Sequence, residues 1–239
     1  MFGPTKINAL FVQTRENKWH WLFYWFCRLS LALGFFIAGM VKIMDERFAN
    51  GLSEIHPMGA YLVALFHTGY YYTFIGIAQV LAAALLLFNR TALLGALLYF
   101  PIIVNIWILS LALRFDGSYI SSTWMVFANI YLLAYHFDRL QFLWIKKSEI
   151  PKTSLLLTKP TSWKFPFRFA LMSLTLMSLP MVIFLKGYEV LPRNSLEACK
   201  AQFQGSIEAP EQNFCLCVHQ EGLPLNSCLE KYEQQKFNP

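Results

Sequence analysis

Long apolar runs, separated by short polar or basic connections, occupy most of this chain. They lie at 21–44, 59–88, 92–113, 119–137 and 169–185. The hydrocarbon core of a bilayer is crossed by about 20 apolar residues in a helix. The chain is 56% hydrophobic and only 14% charged, where soluble domains carry about 25% charged residues. The expected fold is therefore an all-α membrane protein. A four-helix transmembrane bundle spans 21–137, and a fifth transmembrane helix spans 169–186. A cytoplasmic segment (1–20) precedes the bundle, and a basic cytoplasmic or interfacial segment (138–168) follows it. A small extracytoplasmic tail containing cysteines (187–239) closes the chain.

The 59–88 run is too long for one ordinary span. "HTGYYY" at 67–72 divides it into an interfacial or re-entrant piece (59–67) and a second span (70–88). One long tilted helix is the alternative. Tyr70, Tyr71 and Tyr72 read as an interfacial aromatic belt. Pro101 is tolerated in a membrane helix where neighbours satisfy the freed carbonyl, and Pro180 marks a kink. The first run is too long for a signal peptide and contains Arg28, so it is expected to stay as an anchor.

Orientation follows from Lys and Arg in the short connections. Lys6, Arg15 and Lys18 precede the first span, and Arg90 sits between the second and third. Arg139, Lys146, Lys147, Lys152, Lys159, Lys164 and Arg168 follow the fourth. The opposite loops offer only Arg47 and Arg114. The expectation is a multi-pass protein of the bacterial cytoplasmic (inner) membrane, N-terminus inside and C-terminus outside. The net charge of +6 belongs to these span-flanking segments, so nucleic acid is not an expected partner. The lipid bilayer is. Trp144 and Trp163 would sit at the headgroups, with the lysines of 138–168 toward anionic lipid. The sequence has neither a Gly-rich phosphate loop nor HExxH.

An exported tail lies in an oxidising compartment, where disulfides persist. Cys199, Cys215, Cys217 and Cys228 are the disulfide candidates, with three possible pairings. Two of these tie Cys215 and Cys217 separately to Cys199 and Cys228, stapling a domain too small to be secure alone. The third joins Cys215 to Cys217 as a reducible thiol pair, with His219 as the nearby positive group. A metal site is not expected, because Cys-x-Cys is tighter than the usual zinc spacer. Cys27 reads as a small packing residue.

Polar residues inside spans are costly and mark function by default. Gln79, Asn105 and Asn129 fall near mid-span in three successive helices, so three amides could meet in one binding site. Hydrogen bonding between helices would need the same residues. Arg28 is expected to reach toward the inner interface. Lys42 ends the first span, with Asp45, Glu46, Glu54, His56, His67 and Asp116 as a mouth or a solvated rim around it. Haem is not expected, since His67 and His136 fall at opposite ends of the bundle.

The first four spans resemble the DoxX-like family. "RLSLALGFFIAGMVKIM" (28–44) has that family's early Arg, small Gly positions and Gly-x-x-Lys, here Arg28, Gly34, Gly39 and Lys42. "YTFIGIAQVLAAALLLFNRTALLGALLYFPIIVNI" (72–106) is similar to its second and third helices. The resemblance covers roughly 20–140 and departs at Gln79, where the family often has Glu. It implies a four-helix membrane core and a membrane subunit of a thiol- or sulfur-linked, quinone-linked redox system. Cys215 and Cys217 would be the exchanging pair, and Gln79, Asn105 and Asn129 would line a quinone or small-molecule pocket. A non-catalytic anchor or assembly module, whose stapled tail binds an extracytoplasmic or membrane partner, fits the same residues. A small-solute transporter ranks behind both, for want of an inverted repeat.

Overall fold

The computed structural model describes residues 12–140, 160–203 and 209–237. Among these residues it is helical, without strands. The elements are α1 (Lys18–Ile43), α2 (Pro57–Phe66), α3 (Tyr70–Leu87), α4 (Ala92–Ala112), α5 (Tyr119–Tyr135), α6 (Phe137–Leu140), α7 (Phe167–Gly187), α8 (Leu196–Ala201), α9 (Ala209–Leu216) and α10 (Leu225–Phe237). A π-helical turn, Cys217–Glu221, continues α9. Four helices, α1, α3, α4 and α7, are long and apolar enough to cross a membrane. The α5 helix has 17 residues.

α1, α3, α4 and α5 form a closed ring in which α1 and α4 each pack against both α3 and α5. The core at its centre is apolar and aromatic, with Leu31, Phe35, Leu86, Ala96, Tyr99, Ile103 and Leu132 buried. α1 and α3 approach closely. A Cβ on Gly39 would lie 2.7 Å from the Gly76 carbonyl oxygen, and one on Gly76 would lie 2.7 Å from that of Gly39. Backbones can meet this closely only where neither residue has a side chain, the usual device of tightly packed membrane helices.

The bundle has two ends. The near end carries the start of α1 and the α3–α4 turn. The far end carries the α1–α2 and α4–α5 connections. At the near end, Asn17 caps α1 by accepting from the Trp19 amide, satisfying one of the free N–H groups of a helix start. Its own amide donates to the Lys164 carbonyl at 2.6 Å. Glu16 and Ser162 exchange backbone bonds with this stretch, and Trp19 meets Trp163 edge-on. The basic segment thus returns to α1 before α7 begins. Residues 141–159, with Trp144, lie outside the described residues.

The 59–88 run is two helices, α2 and α3, separated by a turn at Thr68 and Gly69. Gly69 takes a left-handed φ of 62°, open to glycine without strain. α7 is a continuous helix through Pro180. It packs along α5 and buries only Phe184, which stacks on Tyr119 at the far end. From there the chain enters the tail.

Candidate functional site

The tail builds its own small core. Cys199 bonds Cys215, and Cys217 bonds Cys228. The four cysteines are buried together with Val190, Phe214, Val218, Leu225 and Tyr232. One bridge ties α8 to α9, and the other ties the π-helical turn to α10. The direct Cys215–Cys217 linkage is therefore not the one formed. Successive helical residues separated by one position point to different sides, so each cysteine meets a different neighbour. Among the described residues no group of three or more His, Cys, Asp or Glu could hold a metal ion.

This tail is seated on the far end of the bundle. Arg193 donates to Asp116 Oδ2 at 2.9 Å. Arg114 donates to the Val190 carbonyl at 2.8 Å and covers the Tyr188 ring. Gly222 ends the π-helical turn with a φ of +65°, and a Cβ there would lie 3.1 Å from Ile55 Cγ2. Beside it, His56 and His219 face each other, with ring centroids 5.7 Å apart.

His56 caps α2, its Nδ1 accepting from the Met58 amide at 3.1 Å. It is fully buried. Burial, with the charge on His219 second, pushes its pKa down to about 4; the Arg193 backbone and the Asp116 carboxylate pull the other way. His219 Nε2 lies 2.6 Å from the Pro192 carbonyl. Both histidines are thus structural contacts of the joint between bundle and tail. The sequence gives no sign of this pairing, because the two lie at opposite ends of the chain.

Of the two alternatives for the groups around Lys42, a mouth or a solvated rim, no mouth forms among the described residues. Lys42 donates to its own-helix Ala38 carbonyl at 2.9 Å and lies under the Phe48 and Tyr72 rings. Glu54 pairs with Arg47, Asp116 with Arg193, and Asp45, Glu46 and His67 are exposed. Tyr72 departs from the aromatic belt. Tyr70 and Tyr71 are exposed, but Tyr72 is buried and its hydroxyl donates to the Glu46 carbonyl while accepting from the Phe48 amide.

Arg28 reaches toward the near end, to the α3–α4 turn, but stays inside the protein. It is fully buried and closes the C-terminal end of α3. Nε donates to the Leu86 carbonyl at 2.8 Å, and Nη1 donates to Asn89 Oδ1 at 2.6 Å and to the Tyr24 hydroxyl at 3.3 Å. A cation at a helix C-terminus faces the negative end of the dipole. The Trp25 ring covers the guanidinium. Tyr24 continues the chain to His136 Nε2 at 2.8 Å, and Arg15 pairs with Asp138 alongside. Arg28 has no carboxylate ion-pair partner among the described residues.

The three mid-span amides do not meet. Gln79 and Asn129 are buried in the bundle, but Asn105 faces outward. Gln79 Oε1, both polar atoms of Asn129 and the Tyr99 hydroxyl are buried without a hydrogen-bonding partner among the described residues. Tyr99, which nothing in the apolar run of α4 sets apart, stacks on Phe35. Cys27 is a buried free thiol.

No family model matches the chain, and no solved structure matches it. Over 127 residues, 51% of this chain and 80% of the relative, it is 36% identical to the "Uncharacterized protein YwoB" of Bacillus subtilis (strain 168). Similarity of that extent makes the chain a member of the YwoB family.

Proposed function

We propose that this protein is a non-catalytic module of the bacterial cytoplasmic membrane. Its DoxX-like helical bundle holds a disulfide-stapled tail at the extracytoplasmic surface for a partner protein. One observation carries the reading: all four tail cysteines are buried in two disulfides, inside a unit fastened to the bundle by Asp116–Arg193 and Arg114–Val190. Thiol exchange needs a reachable sulfur, and none of these four offers one. The N-inside, C-outside orientation draws on the Lys and Arg bias of the connections. Disulfides in the tail suit the same side. α7 is the fifth crossing in this reading, and α5 the fourth.

The test is the redox state of the purified protein, titrated in a dithiol buffer with the linkages mapped. Bridges 199–215 and 217–228 that resist reduction below about −300 mV, the range of structural disulfides, support the module. A bridge reduced at a much higher potential overturns it.

A second reading rests on a separate observation. The unpartnered polar atoms of Gln79, Tyr99 and Asn129 in the bundle core suit hydrogen bonding to a quinone or another small carbonyl compound. The protein would then be the membrane subunit of a quinone-linked redox system, with the bundle rather than the tail cysteines carrying the site. Quinone-dependent quenching of bundle tryptophans, lost in Asn129→Leu, would favour it. Quenching equal in parent and variant would count against it.

A further inference from the structure

Asn105 sits one turn beyond the middle of α4 and faces outward. Leu94, Leu97, Pro101 and Ile108 follow the same three- and four-residue steps and are also exposed. The opposite face of α4, with Gly95, Ala96, Tyr99, Ile103 and Ser110, is buried. α4 thus has one packed face and one free stripe, and the stripe has an amide in it.

Two outward hydroxyls of α7 are satisfied within their own helix. Thr175 donates to the Leu171 carbonyl and Ser178 to the Thr175 carbonyl, the usual return of a hydroxyl to the preceding turn. Asn105 makes no such bond and has no partner among the described residues. An unpaired amide in hydrocarbon costs several kcal/mol. Pro101, on the same stripe, has no N–H to give the Leu97 carbonyl. The stripe therefore presents the donor and the acceptor of one carboxamide.

We infer that the Leu94–Ile108 stripe of α4 is the interface of a homodimer within the membrane, closed by hydrogen bonds between the two Asn105 side chains. The inference rests on α4 crossing the membrane. Two copies inserted in the same orientation are related by an axis along the membrane normal, which brings like residues together at like depth. A carboxamide carries both donor and acceptor, so Asn105 is complementary to itself. An aliphatic neighbour would leave both groups unmet.

The test uses the full chain, labelled with donor or acceptor fluorophores and reconstituted in phosphatidylcholine–phosphatidylglycerol vesicles. Energy transfer is read against the protein-to-lipid ratio. The parent should dimerise, and Asn105→Leu should weaken association by about tenfold, the scale of an interhelical amide bond. Asn105→Gln should retain most of it, and Phe74→Leu, on the outward face of α3, should change nothing. Should the leucine variant fold poorly, oxidation of Asn105→Cys should still give a covalent dimer that Phe74→Cys does not. A monomeric parent resisting alkaline carbonate extraction, or equal dimerisation of Asn105→Leu, overturns the interface. Release of the parent by carbonate overturns the membrane reading with it.

Discussion

His56 caps α2 with the ring nitrogen that would have to take up a proton, and its ring lies 5.7 Å from that of His219. Protonation therefore breaks the cap and brings positive charge toward a second histidine. Its folded pKa, about 4, lies below the ordinary 6.5, so the folded protein binds fewer protons than the unfolded chain between these values. The contribution is complete above pH 6.5 and is lost as pH falls toward 4. The loss reaches about 3 kcal/mol at pH 4. Asp116, paired with Arg193 beside this joint, opposes part of it. Proteolysis of the tail across this range should accelerate on acidification in the parent. In His56→Asn, which keeps a capping side chain, the profile should be flatter.

The two bridges close loops with sequence separations of 16 and 11. Loops of that size stabilise by about 3 kcal/mol each. Cys199→Ser/Cys215→Ser and Cys217→Ser/Cys228→Ser should each make the tail protease-sensitive, while the bundle helices keep their circular dichroism. Equal protease resistance in both double variants would remove the stapling role.

Arg28→Leu leaves the Leu86 carbonyl and Asn89 without their donor inside the bundle. The expected cost is about 2 kcal/mol, read as a lowered Tm in detergent. Arg28→Lys should rescue little, because a single ammonium cannot copy the fork that reaches three acceptors.

Gly39→Val pushes a branched side chain into a gap where a Cβ alone would meet the Gly76 carbonyl at 2.7 Å. Overpacking of this kind costs about 1–3 kcal/mol. Thermal unfolding in detergent should show the loss. Gly51→Val, at a position with open space around its Cβ, should leave the Tm nearly unchanged.

The helices of the bundle were legible because hydrocarbon thickness fixes the length of an apolar run, and the turn at Thr68–Gly69 was legible from its composition. Facing was not. Gln79, Asn105 and Asn129 share a depth, but depth follows from position along a span, whereas facing follows from how neighbouring helices pack. In a uniformly apolar helix such as α4 the sequence carries little contrast between faces. Tyr72 reads like Tyr70 and Tyr71 until the backbone of Glu46 and Phe48 folds back over it. Glu54 and Asp116 pair with Arg47 and Arg193, while the Lys42 ammonium lies against the Phe48 and Tyr72 rings. The site at the tail joint was hidden for a different reason: His56 and His219 come together only after every helix between them is in place.

Cys27 is sealed inside the bundle, and this bears on how the chain matures. A fifth accessible thiol would widen the set of wrong linkages open to the tail during oxidation. With Cys27 buried toward the near end and the tail at the far end, the four tail sulfurs have three ways to pair, and only one matches the buried arrangement. The bundle thus keeps its one thiol apart from the oxidation of the tail: Cys27 is buried toward the near end of α1, and the four tail cysteines pair at the far end.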